Sequence, residues 1–265
     1  MTPVLSICVV VRNAAKDLAL TLSSLDRQLR WLTALPSEVI VIEGESTDTS
    51  RVVAENWAIC TKIPARIVSQ EPKGIYPAMN EACSQAQGEW LLYINAGDLL
   101  LNGEPLFDAL KTGTDAGNRS IQFQSAMFIP GASRGIWIPD LYPTCHQSLV
   151  YQRDLHAHYG PYDERFKVCA DRIFDQQIHS QGRQVNPAVL SATQVSPANR
   201  SRNPDLLHKD LQKSRSLNVE FRLASAPWIT FLVLRLEKAT GFSFSVWFRL
   251  WLRIFIGKAK WISLH

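Results

Sequence analysis

The 265-residue chain has few cysteines and commits none of them to a recognisable framework: Cys8, Cys60, Cys83, Cys145 and Cys169 form no C-x-x-C pair and no zinc-ligand spacing. An odd, scattered set in a chain this long argues against a disulfide scaffold and fits a reducing compartment. The N-terminus lacks the basic stretch that opens a signal peptide. Its first apolar run, "VLSICVVV", reaches Arg12 and Asn13 before a cleavage site could follow, so it reads as a strand. Both common phosphate-binding signatures, G-x-G-x-x-G and G-x-x-x-x-G-K-[ST], are missing, which removes the main support for dinucleotide and P-loop chemistry. Composition is otherwise ordinary. With 46% hydrophobic and 20% charged residues, neither a disordered nor a collagen-like chain is in question.

Charge is unevenly placed. The net +4 combines a tail, residues 200–265, carrying 12 Lys and Arg against 4 Asp and Glu, with a preceding body carrying 16 against 20. A basic tail on a slightly acidic body points to a tail that meets an anionic partner while the body does something else.

Apolar runs recur at 4–11, 38–42, 65–69 and 89–95, separated by segments with helical spacing such as Leu18, Leu22, Leu25 and Leu29. Strand alternating with helix, the strands continuously apolar, predicts a largely parallel sheet covered on both faces. After about residue 103 the pattern becomes α+β: "SIQFQSAMFI" and "GIWIPDLY" read as strands around the turn "PGASRG", and "DLHAHYG" and "ADRIFDQQIHSQG" as helices. Residues 191–205, rich in Ser, Asn, Pro and Arg, read as a linker.

The tail has two apolar segments. "APWITFLVLRLEKATG" falls short of the about 20 residues a membrane span requires. In "SFSVWFRLWLRIFIGKAKW", drawn as a helix, Ser245, Arg249, Arg253 and Lys260 share one face and Trp and Phe cover the rest. That pattern predicts an in-plane helix on an anionic membrane surface; a helix docked on the protein's own core is the bland alternative. Nucleic acid is not the expected partner, because the basic residues are interleaved with large apolar ones.

In open sheets of this type, ligands bind beyond the carboxyl ends of the strands. The four runs end in "VVRNAAKDL", "EGESTD", "QEPKGIYPAMN" and "NAGD". These supply acids for a divalent cation or a ribose (Glu43, Glu45, Asp98), cations for a phosphate (Arg12, Lys73), and Asn13, Asn80 and Asn95 for hydrogen bonds. Together with "CHQSLVYQRDLHAHYGPYDERFKVCADRIF", the order and spacing of these motifs resemble family 2 glycosyltransferases of the GT-A fold, in the branch that builds bacterial polysaccharides. The resemblance covers roughly residues 4–178.

The resemblance implies a Rossmann-like α/β domain over 1–200, with a mixed, mostly parallel sheet flanked by helices; the amphipathic helical tail, 201–265, lies outside it. It implies a nucleotide-sugar donor, a saccharide or lipid-linked acceptor and a divalent cation (Mg²⁺ or Mn²⁺), while the scattered cysteines and the tail predict a cytoplasmic enzyme peripheral on the inner face of the cell membrane. Glu43 stands where the family carries an Asp that contacts base or ribose, and Lys73 matches a position near the nucleotide. Asp98 matches the metal ligand of a D-x-D whose first Asp is here Ala96. A helix cap before Leu99 is the bland alternative for Asp98. Asp171 matches the base that deprotonates the acceptor, implying inversion by one displacement; the bland alternative is an acid favoured by a helix dipole. His146 and Gln147 match a cleft pair for phosphate, metal or acceptor. Glu45 and Thr49 replace family glycines, which predicts strain wherever a positive φ is required. "STD" is expected to cap the next helix through Ser46 or Thr47.

Two rival readings remain. "GASRG", 131–135, formally fits a G-x-S-x-G nucleophile elbow, but the following "IWIPDLYP" is strand-like and reads as one arm of a hairpin. The departures at Glu43, Glu45, Ala96 and Pro77 also admit a degenerate GT-A domain that binds nucleotide at the membrane without turnover.

Overall fold

The four apolar runs become β1 (Leu5–Val11), β2 (Ser37–Glu43), β3 (Ala65–Ser69) and β4 (Trp90–Tyr93) in a computed structural model that describes residues 3–112, 117–129, 131–137, 146–195, 203–217 and 260–264. They pair in parallel in the order β4-β1-β2-β3. Alternate side chains of β1 enter two layers, as the two-residue strand period requires. Leu5, Ile7, Val9 and Val11 pack with Leu18, Leu22 and Leu25 of α1 (Ala15–Arg27), Leu32 of α2 (Leu29–Ala34) and Ala54 of α3 (Ser50–Cys60). Cys8 and Val10, with Ile40 and Ile42 of β2, pack on Tyr76, Met79 and Ala82 of α4 (Ile75–Gln85). Burying each Val, Leu or Ile contributes about 1.5–3 kcal/mol. With both faces covered there is no solvent side for polar residues, and hence no alternation in these runs.

The second half extends the sheet with antiparallel pairs. The chain passes through β5 (Leu99–Leu100), α5 (Glu104–Thr112), β6 (Ser120–Phe128), β7 (Arg134–Trp137), β8 (Leu149–Gln152), α6 (Leu155–Tyr159), α7 (Ala170–His179), β9 (Arg183–Gln194), α8 (Pro204–Ser216) and β10 (Lys260–Ser263). β8 lies between β4 and β6, β7 pairs β6, and β10 pairs β7, all antiparallel. β9 runs parallel to β6 and antiparallel to β5.

Several local expectations are corrected. Residues 191–194 belong to β9, not to a linker. The register with β6 jumps from Gln122↔Val185 to Gln124↔Val189, and Pro187, which has no N–H to give a ladder, sits in that irregularity. Asp98 precedes a strand, not a helix, so it caps nothing. After Ser133 the chain enters β7, so "GASRG" closes the β6–β7 hairpin and is no nucleophile elbow. Lys260 and Trp261, expected on the amphipathic helix, lie in β10. The rest of that segment, 243–259, is outside the described residues.

Candidate active site

The carboxyl ends of β1, β2 and β4 open into a cleft of about 730 Å³. Its lining includes Arg12 and Asn13 of the β1–α1 loop and Lys73 of the segment before α4. It also includes Asn95, Asp98, His146, Gln147 and Asp171. Eight of the eleven residues singled out in the sequence therefore line one cavity. Asn80, Glu43 and Glu45 do not. Asn80 is turned toward the backbone of Tyr162, donating from Nδ2 to its carbonyl and accepting its N–H at Oδ1, both at 2.9 Å. Glu43 is 1% exposed, and its carboxylate accepts the Ser46 N–H at 2.7 Å.

Glu43 thus begins a staple between two loops. Ser46 Oγ, Ser50 Oγ and Asp48 Oδ2 accept the successive N–H groups of Asn13, Ala14 and Ala15 at 2.9–3.0 Å. Asn13 Oδ1 in return accepts the Thr47 N–H at 2.7 Å. The N-cap of α3 is Thr49, which makes no side-chain cap bond; Asp48 Oδ1 accepts the Ser50 N–H at 2.9 Å, whereas Ser46 and Thr47 serve the other loop. Asn13 (φ 50°) and Glu45 (φ 49°) are the positive-φ non-glycine residues of the described chain. Asn tolerates that region, since its short side chain bonds locally; Glu45 is exposed and carries the strain expected where the family has glycine. Thr49, at φ −81°, carries none.

In the same cleft, four residues from distant parts of the sequence form a hydrogen-bonded string. Tyr76 Oη donates to Asp171 Oδ1 at 2.7 Å; His146 Nδ1 lies 3.0 Å from Asp171 Oδ2; Asn95 Nδ2 lies 2.9 Å from His146 Nε2. Burial pushes the Asp171 carboxyl up, but the hydrogen bond and charge of His146, with the Tyr76 hydroxyl, outweigh it and hold Asp171 at about 2. Burial pulls His146 down, and the Asp171 hydrogen bond and charge more than reverse this, so the imidazole sits above its ordinary value. Asp171 falls in the first turn of α7 without capping it; its partners are side chains, and they dominate its chemistry. The side chains of His146 and Asp171 remain 23% and 22% exposed, open to a ligand in the cleft.

Asp98 is more deeply set, 6% exposed. Its Oδ2 accepts from Gln147 Nε2 at 2.7 Å and its Oδ1 from the Gln194 N–H at 2.9 Å. Burial raises it to about 6 despite those bonds. Among the described residues no group of three or more His, Cys, Asp or Glu is placed to hold a metal by itself. A single carboxylate, one hydrogen bond on each oxygen and a lone pair left on each, fits a cation held mainly by phosphates and water. Tyr76 and Gln194 are cleft residues that sequence reasoning left without a role. Tyr76 was visible in "KGIY" at the start of α4; Gln194 was hidden in the stretch read as a linker.

A family model described as Glycosyl transferase family 2 matches residues 6–180. A PGL/p-HBAD biosynthesis glycosyltransferase of Mycobacterium bovis (strain BCG / Pasteur 1173P2) is 29% identical over 198 residues, covering 71% of this chain and 73% of that protein. The same match is found with the corresponding glycosyltransferase of Mycobacterium tuberculosis (strain ATCC 25177 / H37Ra). Among solved structures, S. aureus TarS 1-349 in complex with UDP has a TM-score of 0.58 at 19% identity, covering 93% of this chain and 74% of that one. The mannosyltransferase PcManGT from Pyrobaculum calidifontis, in complex with GDP-Man and Mn²⁺, has a TM-score of 0.60 at 16% identity, covering 91% and 71%. At such identities the likeness is one of fold, and it is the GT-A fold that the motifs implied. The family match, the mycobacterial relatives and the carboxyl-end cleft agree: the chain belongs to glycosyl transferase family 2 and is a glycosyltransferase.

Proposed function

We propose that the protein transfers a sugar from a nucleoside-diphosphate donor to a hydroxyl of a saccharide or lipid-linked acceptor, with inversion, in cell-surface polysaccharide or glycolipid assembly. The observation that carries this reading is the hydrogen-bonded set of Asp171, His146 and Tyr76 in the same cleft as Arg12 and Lys73. Arg12 and Lys73 face the diphosphate, and Asn13, on its stapled loop, orients the nucleotide. Asp171 takes the acceptor proton while the acceptor oxygen bonds to the anomeric carbon; the bond from that carbon to the diphosphate breaks, and the nucleoside diphosphate departs. One displacement inverts the anomeric centre. A carboxylate at about 2 is a weak base toward a resting hydroxyl, so proton transfer belongs late, when C–O bond formation has acidified the hydroxyl. Asp98, with Gln147 orienting it, is the protein ligand of a divalent cation, which when bound supplies charge neutralisation to the leaving diphosphate.

The tail follows the same reading: residues 218–259 carry the basic, apolar segment that places the enzyme at an anionic cytoplasmic membrane surface, where a lipid-linked acceptor is available. Among the described residues no helix is long and apolar enough to cross a membrane. The test is incubation of the full chain with UDP-, GDP- and dTDP-sugars, Mg²⁺ or Mn²⁺, and lipid-linked acceptors. The donors bound by the solved neighbours, and acceptors suggested by PGL/p-HBAD biosynthesis, come first. Transfer with inverted product is expected; absence of both transfer and cation-dependent nucleotide binding overturns the proposal.

A further inference from the structure

The turn that leads into α7 is held by an acid from outside the family segment. The family match ends at residue 180, and α8 begins at Pro204. Asp210, in its second half, is 2% exposed. Its two oxygens each accept the Lys167 N–H at 2.9 Å, and Oδ2 also accepts the Val168 N–H at 2.7 Å. Lys167 and Val168 line the cleft, four and three residues before Asp171. A buried carboxylate bonded to main-chain amides is a rigid tether, because neither side can exchange its partner for water without opening the core.

The tether has a fixed foot. α8 starts on Asn203, whose Oδ1 accepts the N–H groups of Asp205 and Leu206 at 3.0 and 3.3 Å. Leu207 is buried in the same apolar layer as Ile173 and Phe174 of α7, and Leu211 packs against it. α8 thus shares a buried layer with α7 and is joined to the Lys167–Val168 turn by Asp210.

We propose that Asp210 is a positioning residue of the active site: its carboxylate fixes the Lys167–Val168 turn and, through it, holds Asp171 at the reacting centre. α8 is then part of the catalytic apparatus, and the tail beyond it is attached directly to the helix that holds the turn before the base. The inference rests on the reading of Asp171 as that base. A carboxylate kept only for folding would leave turnover per folded molecule untouched, whereas a positioning carboxylate controls it.

The test uses the full chain as wild type, Asp210→Asn and Asp171→Asn, with nucleoside-diphosphate release measured across the UDP-, GDP- and dTDP-sugar panel and amide exchange measured by mass spectrometry. Asp210→Asn keeps the side-chain volume but turns an acceptor into a donor facing those N–H groups. Its kcat is expected to fall about 10–100-fold, the scale of a small misplacement of a catalytic group. The donor KM should hold, because Arg12, Asn13 and Lys73 stand on segments that Asp210 does not touch. Deuterium uptake over 165–172 should rise. Unchanged kcat per folded molecule, a change confined to donor KM, or unchanged uptake in that segment overturns the proposal. Wild-type turnover in Asp171→Asn would instead sink the base assignment, with the exchange result still deciding whether Asp210 holds the turn. If Asp210→Asn does not fold, wild-type exchange decides: Lys167 and Val168 amides exchanging as fast as those of exposed loops overturns it.

Discussion

At the residue scale, the chemistry concentrates in Asp171 and the groups that hold it. Asp171→Asn is expected to lower transfer by about 10²–10⁴-fold while donor binding persists, checked by kcat against nucleotide affinity. Tyr76→Phe removes a hydrogen bond that favours the ionised carboxylate, so Asp171 should titrate higher. The acid limb of kcat/KM should then move to higher pH, and an unmoved limb would remove Tyr76 from the mechanism. The pair also has a signature in stability. Asp171 is depressed in the folded protein, so its contribution is present above its ordinary value of 3.8 and is lost as pH falls through about 2. His146 is raised, so its contribution is fully present below its ordinary value of 6.5 and is lost as pH rises through the folded value. His146→Gln should therefore depress Tm most near pH 5–6, where both partners are charged, and least in alkaline buffer. A Tm loss that grows with pH would contradict the ion pair.

At the element scale, two loops with positive-φ residues make opposite predictions from the same backbone region. Glu45 gives its conformation nothing in return, so Glu45→Gly should raise stability by about 1 kcal/mol, read by chemical denaturation. Asn13 occupies the same region but bonds Thr47, so Asn13→Gly should lower stability and loosen the staple. The strand and helix periods of the first hundred residues were legible because both sheet faces are covered and each element announces itself locally. β9 was not legible: its residues are mixed in polarity, Pro187 interrupts it, and only pairing with β6 and β5 makes it a strand.

At the scale of the whole molecule, the folded body and the tail separate by chemistry. Truncation before Ala226 is expected to turn a membrane-pelleting protein into one that stays in the supernatant, and vesicle binding by the full chain should weaken with salt. Partitioning unchanged by truncation would refute the anchor. Because Asp210 of α8 holds the turn before Asp171, cutting within residues 204–216 should reduce turnover as well as remove the tail.

The sequence by itself determined the parallel core and which residues stand at the strand ends, since apolar runs, turn residues and helical spacing are local signals. The strand ends carry Arg12, Asn13, Lys73, Asn95 and Asp98, and the family resemblance adds His146, Gln147 and Asp171; all eight line one cleft. The tertiary structure decided which of these groups meet. Tyr76, His146 and Asp171 lie as much as 95 residues apart, and only the docking of α4 and α7 on the sheet brings their atoms within 3.0 Å. It also turned Glu43 and Asn80 to backbone partners, delivered Gln194 to Asp98, and gave Asp210 the Lys167–Val168 turn. The reason is physical: a residue's type and local period fix where it lies on an element, while its hydrogen-bond partner is fixed by packing between elements. That packing also sets the ionisation of Asp171.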